Sequence, residues 1–394
     1  MADGPFGSNL KAEHYTKNKE ARIIQLSNIG EYGWREENTK YTTLEHAKNN
    51  ISRSIVEPGN VVIAKMMPAG RAIICPNNEK MYVLSSDAVK LVPTSLINSN
   101  YLLNSINSPF FRASVTDNVQ GTTRLRTSIS KLRECFFPLP PLKEQILIVH
   151  AIENAISHID VLEQNKMDLQ NLITQAKSKI LDLAIHGKLV PQDPNDEPAE
   201  ELLKRIATSD NRPYKKFDDE VPFDIPVSWS WCTLGEIYTH TTGKALKKTN
   251  NKGTLRKYIT TSNLYWNSFD FTEVREMYFT DDELGKCTIK KGDLILCNGG
   301  DVGRAAIWNY DYDICYQNHV SRLRPKRNEI NNKYFLYLLM IYKEQGMLNG
   351  KGVGITSLSA KDLLTIKVPL PPAKEQQFIA TKIDELFYFL DRIF

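Results

Sequence analysis

From Pro141 onward the apolar positions fall at helical spacing: Ile146, Val149, Ile152, Ile156 and Ile159, then Leu162, Leu169, Ile173, Ala176, Ile180 and Leu183. From Leu162 the steps alternate between four and three with Lys166 as the polar member, the pattern of a heptad seam. The step from Ile159 to Leu162 is three where four is due, a stammer that overwinds the seam locally. Pro141 at the start, Glu144 in the first turn and Gly187 past the last periodic residue mark the ends. The spacing predicts one helix of roughly 45 residues, about 65 Å long at 1.5 Å per residue. A shorter series closes the chain at Ile379, Ile383, Leu386, Leu390 and Ile393. Alone, either helix would expose its seam, so the two are expected to pack together or against another chain.

Both helices follow one motif. Pro138-Leu139-Pro140-Pro141-Leu142-Lys143-Glu144-Gln145 returns 231 positions later as Pro369-Leu370-Pro371-Pro372-Ala373-Lys374-Glu375-Gln376. Upstream the offset drifts, as loops that gain and lose residues require: Leu132 matches Leu363 at 231, Gly70-Arg71-Ala72 matches Gly303-Arg304-Ala305 at 233, and Ser27-Asn28 matches Ser262-Asn263 at 235. Short β-rich runs at 22–26, 61–64, 293–296 and 305–308 alternate with turn residues, and a helical stretch comes late in each copy, at 100–111 and 331–342. The fold class this implies is α+β: two mixed α/β heads joined by long helices that form an antiparallel coiled coil with a pseudo-twofold internal repeat. The expected boundaries are 1–141 for the first head, 142–187 for its helix, 188–225 for a proline- and acid-rich linker, 226–368 for the second head and 369–394 for the short final helix.

The net charge of +4 is unevenly spread. Lys and Arg exceed Asp and Glu by 5 in residues 1–141 and by 6 in 226–368, while the remaining segments are at −7. Basic heads on an acidic connector suit a polyanion at the heads and a different partner along the helices. No stretch of about 18 apolar residues exists and no signal peptide is visible, so the protein is expected in the cytoplasm, without a membrane partner. The six cysteines show no zinc spacing, so neither a metal site nor a disulfide framework is expected. A Walker A loop, a dinucleotide fingerprint and a methyltransferase Pro-Pro-Tyr/Phe motif are all missing, so no catalytic residues and no cofactor are assigned.

The heads offer glycine- and hydroxyl-rich loops with cations, whose backbone amides can approach phosphate. In the first head these carry Arg124 and Arg126 near Gly121, and Lys65 and Arg71 around Gly70; in the second, Lys351 between Gly350 and Gly352, and Arg304 after Gly303. A third basic position in each half is Lys11, and Lys244 with Lys247 and Lys248. Tyr15, Trp34, Tyr265 and Trp266 are candidates to stack on bases, although an aromatic in a β-rich head is more often core. The helix seam contributes Ile152, Ile156, Ile159, Leu162, Leu169, Ile173, Ile180, Ile379, Ile383, Leu386 and Leu390 as subunit-interface candidates.

With Pro-Leu-Pro-Pro-x-Lys-Glu-Gln present twice before an Ile/Val-rich helix, and with Gly187-Lys188-Leu189-Val190-Pro191 and Pro226-x-x-Trp229-x-Trp231-x-x-Leu234, the chain resembles the specificity subunit of Type I restriction-modification systems. The resemblance implies two target-recognition domains, each reading half of a bipartite, asymmetric site in double-stranded DNA. It implies helices that set their separation and dock two methyltransferase subunits, restriction subunits joining the full complex, and AdoMet, ATP and Mg2+ belonging to those partners. The first head has no counterpart of the stretch 229–237 and the final helix none of 162–187, so a chain shortened at both ends relative to the family is the expectation. The rival readings are a protein-only coiled-coil adaptor, which would not need two basic, divergent heads, and a truncated, inactive specificity subunit.

Overall fold

The computed structural model describes residues 1–5, 7–66, 69–117, 126–246, 252–348 and 357–393. The chain forms two compact units, Met1–Asn165 and Lys166–Phe394. The boundary falls inside one 44-residue helix, Leu142–Ile185, the connector helix. Among the described residues no helix is long and apolar enough to cross a membrane.

In unit 1 the run Val61–Ala64 is central to an antiparallel sheet with the order Ala2–Asp3, Ala88–Leu91, Val61–Ala64, Ala72–Ile74. All four of its residues are buried because both faces of the sheet are covered. Val62 and Ala64 pack with Ile24 and Tyr82 of a second, five-stranded sheet, while Val61 and Ile63 pack with Leu102 and Ile106 of the helix Ser99–Asn107. Alternate residues of a strand face opposite ways, so one continuous apolar run serves two cores. In the second sheet, Ala21–Ile24 and Tyr82–Leu84 pair in parallel.

Unit 2 repeats this plan by itself. Its antiparallel sheet has the order Tyr238–Thr242, Val320–Pro325, Leu294–Cys297, Ala305–Ile307, and its second sheet contains the parallel pair Thr254–Ile259 and Ile314–Tyr316. The registers correspond: Val61 opposes Leu91 as Leu294 opposes Leu323, and Ile24 opposes Leu84 as Ile259 opposes Tyr316. Ile295 and Cys297 face the second sheet, and Leu294 and Leu296 join the core that includes Phe335 and Leu339 of the helix Asn332–Glu344. Unit 2 adds a strand, Ser230–Thr233, antiparallel to Lys367–Leu370.

The repeated motif joins each head to its long helix through a buried amide. In unit 1, Gln145 Oε1 accepts from the backbone N–H of Asn98 at 2.9 Å and its Nε2 donates to the carbonyl of Pro140 at 2.9 Å. In unit 2, Gln376 accepts from Asn331 at 2.8 Å and donates to Pro371 at 2.9 Å. Asn98 and Asn331 are the N-caps of the two cap helices, Ser99–Asn107 and Asn332–Glu344, and their side chains accept from the first-turn amides. Within the first turn of each cap helix, the hydroxyls of Tyr101 and Tyr334 donate to the carbonyls of Pro138 and Pro369. Ser27-Asn28 and Ser262-Asn263 repeat for a similar reason. Asn28 and Asn263 each accept from the backbone N–H three positions earlier, at 2.9 Å in both, and donate to backbone carbonyls of a following loop.

The connector helix ends in a Schellman motif: Lys188 N–H donates to the carbonyl of Leu183 at 2.8 Å and Gly187 N–H to that of Ala184 at 3.2 Å, with Gly187 at φ +66°. A Cβ at Gly187 would lie 2.3 Å from Cγ of Pro226, so close packing demands glycine as well. In unit 2 the last turns of this helix run antiparallel to the closing helix, Ala373–Asp391: Lys177 pairs with Asp391 at 2.5 Å, while Gln192, beyond the helix end, donates to Glu375. The indole of Trp229 donates to the other Glu375 oxygen at 2.9 Å. Burial pushes the Glu375 carboxyl above its ordinary value, against the smaller opposing pull of Trp229 and Gln192.

Two stability measurements test this bonding. Gln376→Ala strands a buried backbone N–H and a buried carbonyl and is expected to cost unit 2 about 2–4 kcal/mol. Gln145→Ala should do the same to unit 1, read as a lowered urea midpoint; unchanged midpoints would show that the amides are incidental. For Glu375, a raised folded-state pKa means that the unfolded chain loses its proton first as pH rises. The stability of wild type relative to Glu375→Gln should therefore be greatest below about pH 4.5 and decline as pH climbs through the folded pKa. Paired urea titrations between pH 4 and 7 would expose a flat or rising difference, which contradicts this.

Candidate nucleic-acid interface

In each unit two candidate loops that are distant in the chain meet at one end of the antiparallel sheet. The hairpin after Val61–Ala64 closes with Gly70 N–H donating to the carbonyl of Ala64 at 3.0 Å and Ala64 N–H to that of Arg71 at 2.8 Å. Its counterpart has Gly303 donating to Cys297 at 2.9 Å and Cys297 to Arg304 at 2.8 Å. Gly70 and Gly303 sit at φ +82° and +92°, a conformation that favours glycine. The second loop then bridges onto the hairpin: Met66 opposes Arg126 and Gly299 opposes Ser357. Thr127 N–H donates to Lys65 at 2.9 Å, and Leu358 N–H to Asn298 at 2.8 Å.

The charged side chains at this junction differ in how far they are free to meet an anion. Arg126 is half exposed and paired with Asp87. Arg71 is partly buried, and desolvation together with Arg35 and Arg112 lowers its pKa against the pull of Glu31. Arg304 donates to the carbonyl of Thr261 at 2.7 Å, lies 3.5 Å from Asp301 and stacks 5.1 Å from the ring centre of Tyr265. Lys65 is buried and paired with Asp3. Lys244 is also buried, bonded to Glu283 at 2.6 Å and to the carbonyl of Tyr278 at 2.7 Å, and it holds the Glu283 carboxyl below the usual range. These two lysines are tied into their units rather than presented to solvent. Lys11 is exposed, with Glu13 at 3.8 Å. Arg124, Lys247, Lys248 and Lys351 lie outside the described residues.

Of the aromatic candidates, Tyr265 is 45% exposed, whereas Trp266 packs against the main core of unit 2. Trp34 donates to Glu36 at 2.8 Å and stands edge-on to Tyr82. Beneath it lies Arg22, 1% exposed, with its guanidinium 5.9 Å from the Trp34 ring and 5.5 Å from that of Tyr41. Nothing in the sequence singles out Arg22, which sits in an apolar strand. Its counterpart in unit 2 by register is the exposed Lys257, beside a cleft of about 560 Å³ also lined by Arg256, Glu276 and Tyr312.

Along the helices, Ile379 and Ile383 are fully buried, and Ile180, Leu386 and Leu390 are half-buried. The buried stripe of the connector helix at its end is Leu181, Ala184 and Ile185, one position on from the periodic Ile180 and Leu183. The shift arises because this end packs into a core shared with the cap helix, the closing helix and Trp229, not along a single partner. Ile152 and Ile173 are half-buried, and Ile156, Ile159, Leu162 and Leu169 are exposed.

All six cysteines are free thiols, and among the described residues no group of three or more His, Cys, Asp or Glu is placed to hold a metal ion.

A family model described as the Type I restriction modification DNA specificity domain matches residues 11–171 and again 226–393. The EcoAI specificity subunit of Escherichia coli is 27% identical over 414 residues, covering 85% of this chain and 68% of that one. The EcoKI specificity subunit of E. coli strain K12 is 20% identical, covering 97% and 79%. The fold is that of the crystallised HsdS subunit from Thermoanaerobacter tengcongensis, with a TM-score of 0.57 at 17% identity over 96% of this chain and 88% of that one. Two matches of one model, laid over the two units that the structure builds on one plan, establish that this chain belongs to the Type I restriction-modification DNA specificity family.

Proposed function

We propose that this chain is the DNA-reading subunit of a Type I restriction-modification complex, with one half of a bipartite, asymmetric site read by each head. Residues 1–141 and 226–368 act as target-recognition domains, 142–187 and 369–394 as spacer helices, and 188–225 as linker. Methyltransferase subunits dock along the helices and restriction subunits join through them. The chain is itself non-catalytic, AdoMet, ATP and Mg2+ being used by the partners, and it works in the cytoplasm, where its DNA is.

One observation carries the reading. The hairpin and returning loop have the same backbone bonds in both units and share an arginine, Arg71 in one and Arg304 in the other, but differ where Arg126 of one unit stands in place of Ser357 of the other. A common frame that presents two unlike, basic-flanked surfaces suits the reading of two unlike half-sites. Arg126 can exchange Asp87 for a phosphate, a swap of one anion for another.

Replacing Arg124 and Arg126 with alanine is expected to weaken binding to specific and unrelated duplexes alike. The slope of log K against log salt should fall by about 0.9 for each phosphate that is no longer neutralised. Titrations between 50 and 200 mM salt that leave both quantities unchanged would remove these residues from the interface. Replacing residues 226–368 with the corresponding region of a relative should alter one half of the methylated sequence and preserve the other, as read by methylome sequencing. Alteration of both halves would refute independent reading.

A further inference from the structure

Beside the hairpin that carries Arg71, unit 1 holds a tight turn, Gly30-Glu31-Tyr32-Gly33, in which Tyr32 is 100% exposed. The turn is built to hold that ring out. Ile29 bridges Trp34 across its base, Gly30 N–H donates to the carbonyl of Gly33 at 2.9 Å, and Arg35 N–H donates to that of Asn28 at 3.0 Å. A Cβ on Gly30 would lie 2.5 Å from the Gly33 carbonyl oxygen, and Gly33 sits at φ +133°, so glycine is required on both sides of the tip. Side chains then tie the turn to the hairpin. Glu31 pairs with Arg112, Arg112 donates to Asn107 Oδ1 at 2.9 Å, and the Asn107 amide accepts from and donates to the backbone of Ala72, next to Arg71, at 3.0 Å in both bonds.

Positive charge collects around this tip. After the larger effect of its own burial, Arg71 responds to Glu31, Arg35 and Arg112, so three cations share the neighbourhood of one tightly held carboxylate. Arg35 is half exposed, with Glu37 at 3.9 Å, a loose pair that a phosphate can replace. Unit 2 has the same turn with a different tip. At the offset of 235, Leu264 opposes Phe269 as Ile29 opposes Trp34, and Asn267 stands in the place of Tyr32. Asn267 N–H donates to the carbonyl of Ala305 at 3.0 Å, and Tyr265 lies against Arg304. One head offers an aromatic tip, the other an amide.

We propose that Tyr32 is a specificity-determining residue: its ring packs against a base in the half-site that unit 1 reads, while Arg35 holds the adjoining phosphate. The proposal rests on the DNA-reading role of the heads. A fully exposed ring has all of its apolar surface still to bury, and contact with a base face or a thymine methyl does so with discrimination between bases. The arginines around the tip favour DNA over an apolar protein surface as its partner.

The test uses the full-length chain with its methyltransferase subunits and a duplex carrying the methylated site. Tyr32→Ala should reduce the ratio of specific to unrelated affinity about tenfold or more, with the unrelated affinity unchanged. Methylome sequencing should show relaxed positions only in the half-site that survives exchange of residues 226–368. Tyr32→Phe keeps the ring and should keep the ratio, whereas Arg35→Ala should weaken both affinities alike and lower the salt slope by about 0.9. Tyr32 and Arg35 are exposed, so these variants leave the fold intact. An unchanged ratio in Tyr32→Ala, or relaxation in the other half-site, overturns the proposal alone. So does a loss in Tyr32→Phe as large as in Tyr32→Ala, which would assign the contact to the hydroxyl. If Tyr32→Ala sheds the methyltransferase subunits with its ratio intact, the ring faces a protein and the proposal fails. Arg35→Ala with both affinities unchanged removes the phosphate contact. A wild-type complex that prefers no duplex overturns the DNA-reading role itself, and this proposal with it.

Discussion

A buried glutamine amide at the foot of each long helix is the constraint on which the rest of each unit depends. Gln145 and Gln376 are fully buried, and an unpaired amide in that setting would be costly, so its position is dictated by the backbone groups that satisfy it. Those groups belong to the capping residue of one helix and to the proline turn that begins another. The amide therefore fixes how the long helix leaves the head. Tyr101 and Tyr334 reach carbonyls of the same proline segments and close the arrangement from the other side. Proline cannot donate there, which leaves the carbonyl acceptors to these side chains.

This constraint explains what was legible from the chain alone. The motif around Gln145 and Gln376 repeats because its glutamine and its prolines answer to specific backbone atoms. Asn28 and Asn263 repeat on the same principle, and the fully apolar runs at 61–64 and 294–297 repeat because both faces of the sheet are covered. The long helix and the two-unit plan followed directly. Its buried stripe near the end shifted by one position, since heptad spacing assumes one partner and the segment has several.

The candidate site was less legible. That the hairpin turn and the later loop both matter was visible as a repeat, but that they touch depends on single bridges, Met66 with Arg126 and Gly299 with Ser357, between segments about sixty residues apart. Charge in a sequence does not say where it points. Lys65, six residues before Arg71, and Lys244, close to Lys247 and Lys248, satisfy internal carboxylates, while Arg22, within a strand of otherwise apolar residues, lies under two aromatic rings. Burial of a cation needs partners from distant segments, and nothing local in the sequence announces them.

The contrast between frame and loops suggests why the two heads could diverge without losing their common plan. Frame positions use side chains to satisfy backbone groups, so substituting Gln145, Asn98 or Asn28 breaks a bond that nothing else replaces. At the hairpin and returning loop the holding bonds run from backbone to backbone: Gly70 to Ala64 and Thr127 to Lys65 in one unit, Gly303 to Cys297 and Leu358 to Asn298 in the other. Such bonds tolerate any side chain that the backbone conformation permits, so only the glycines are held fixed. Arg126 and Ser357 can occupy the same place in the frame and present different chemistry. A reading surface assembled this way can change its residues while its geometry stays constant, which is what the exchange of recognition units between related proteins requires.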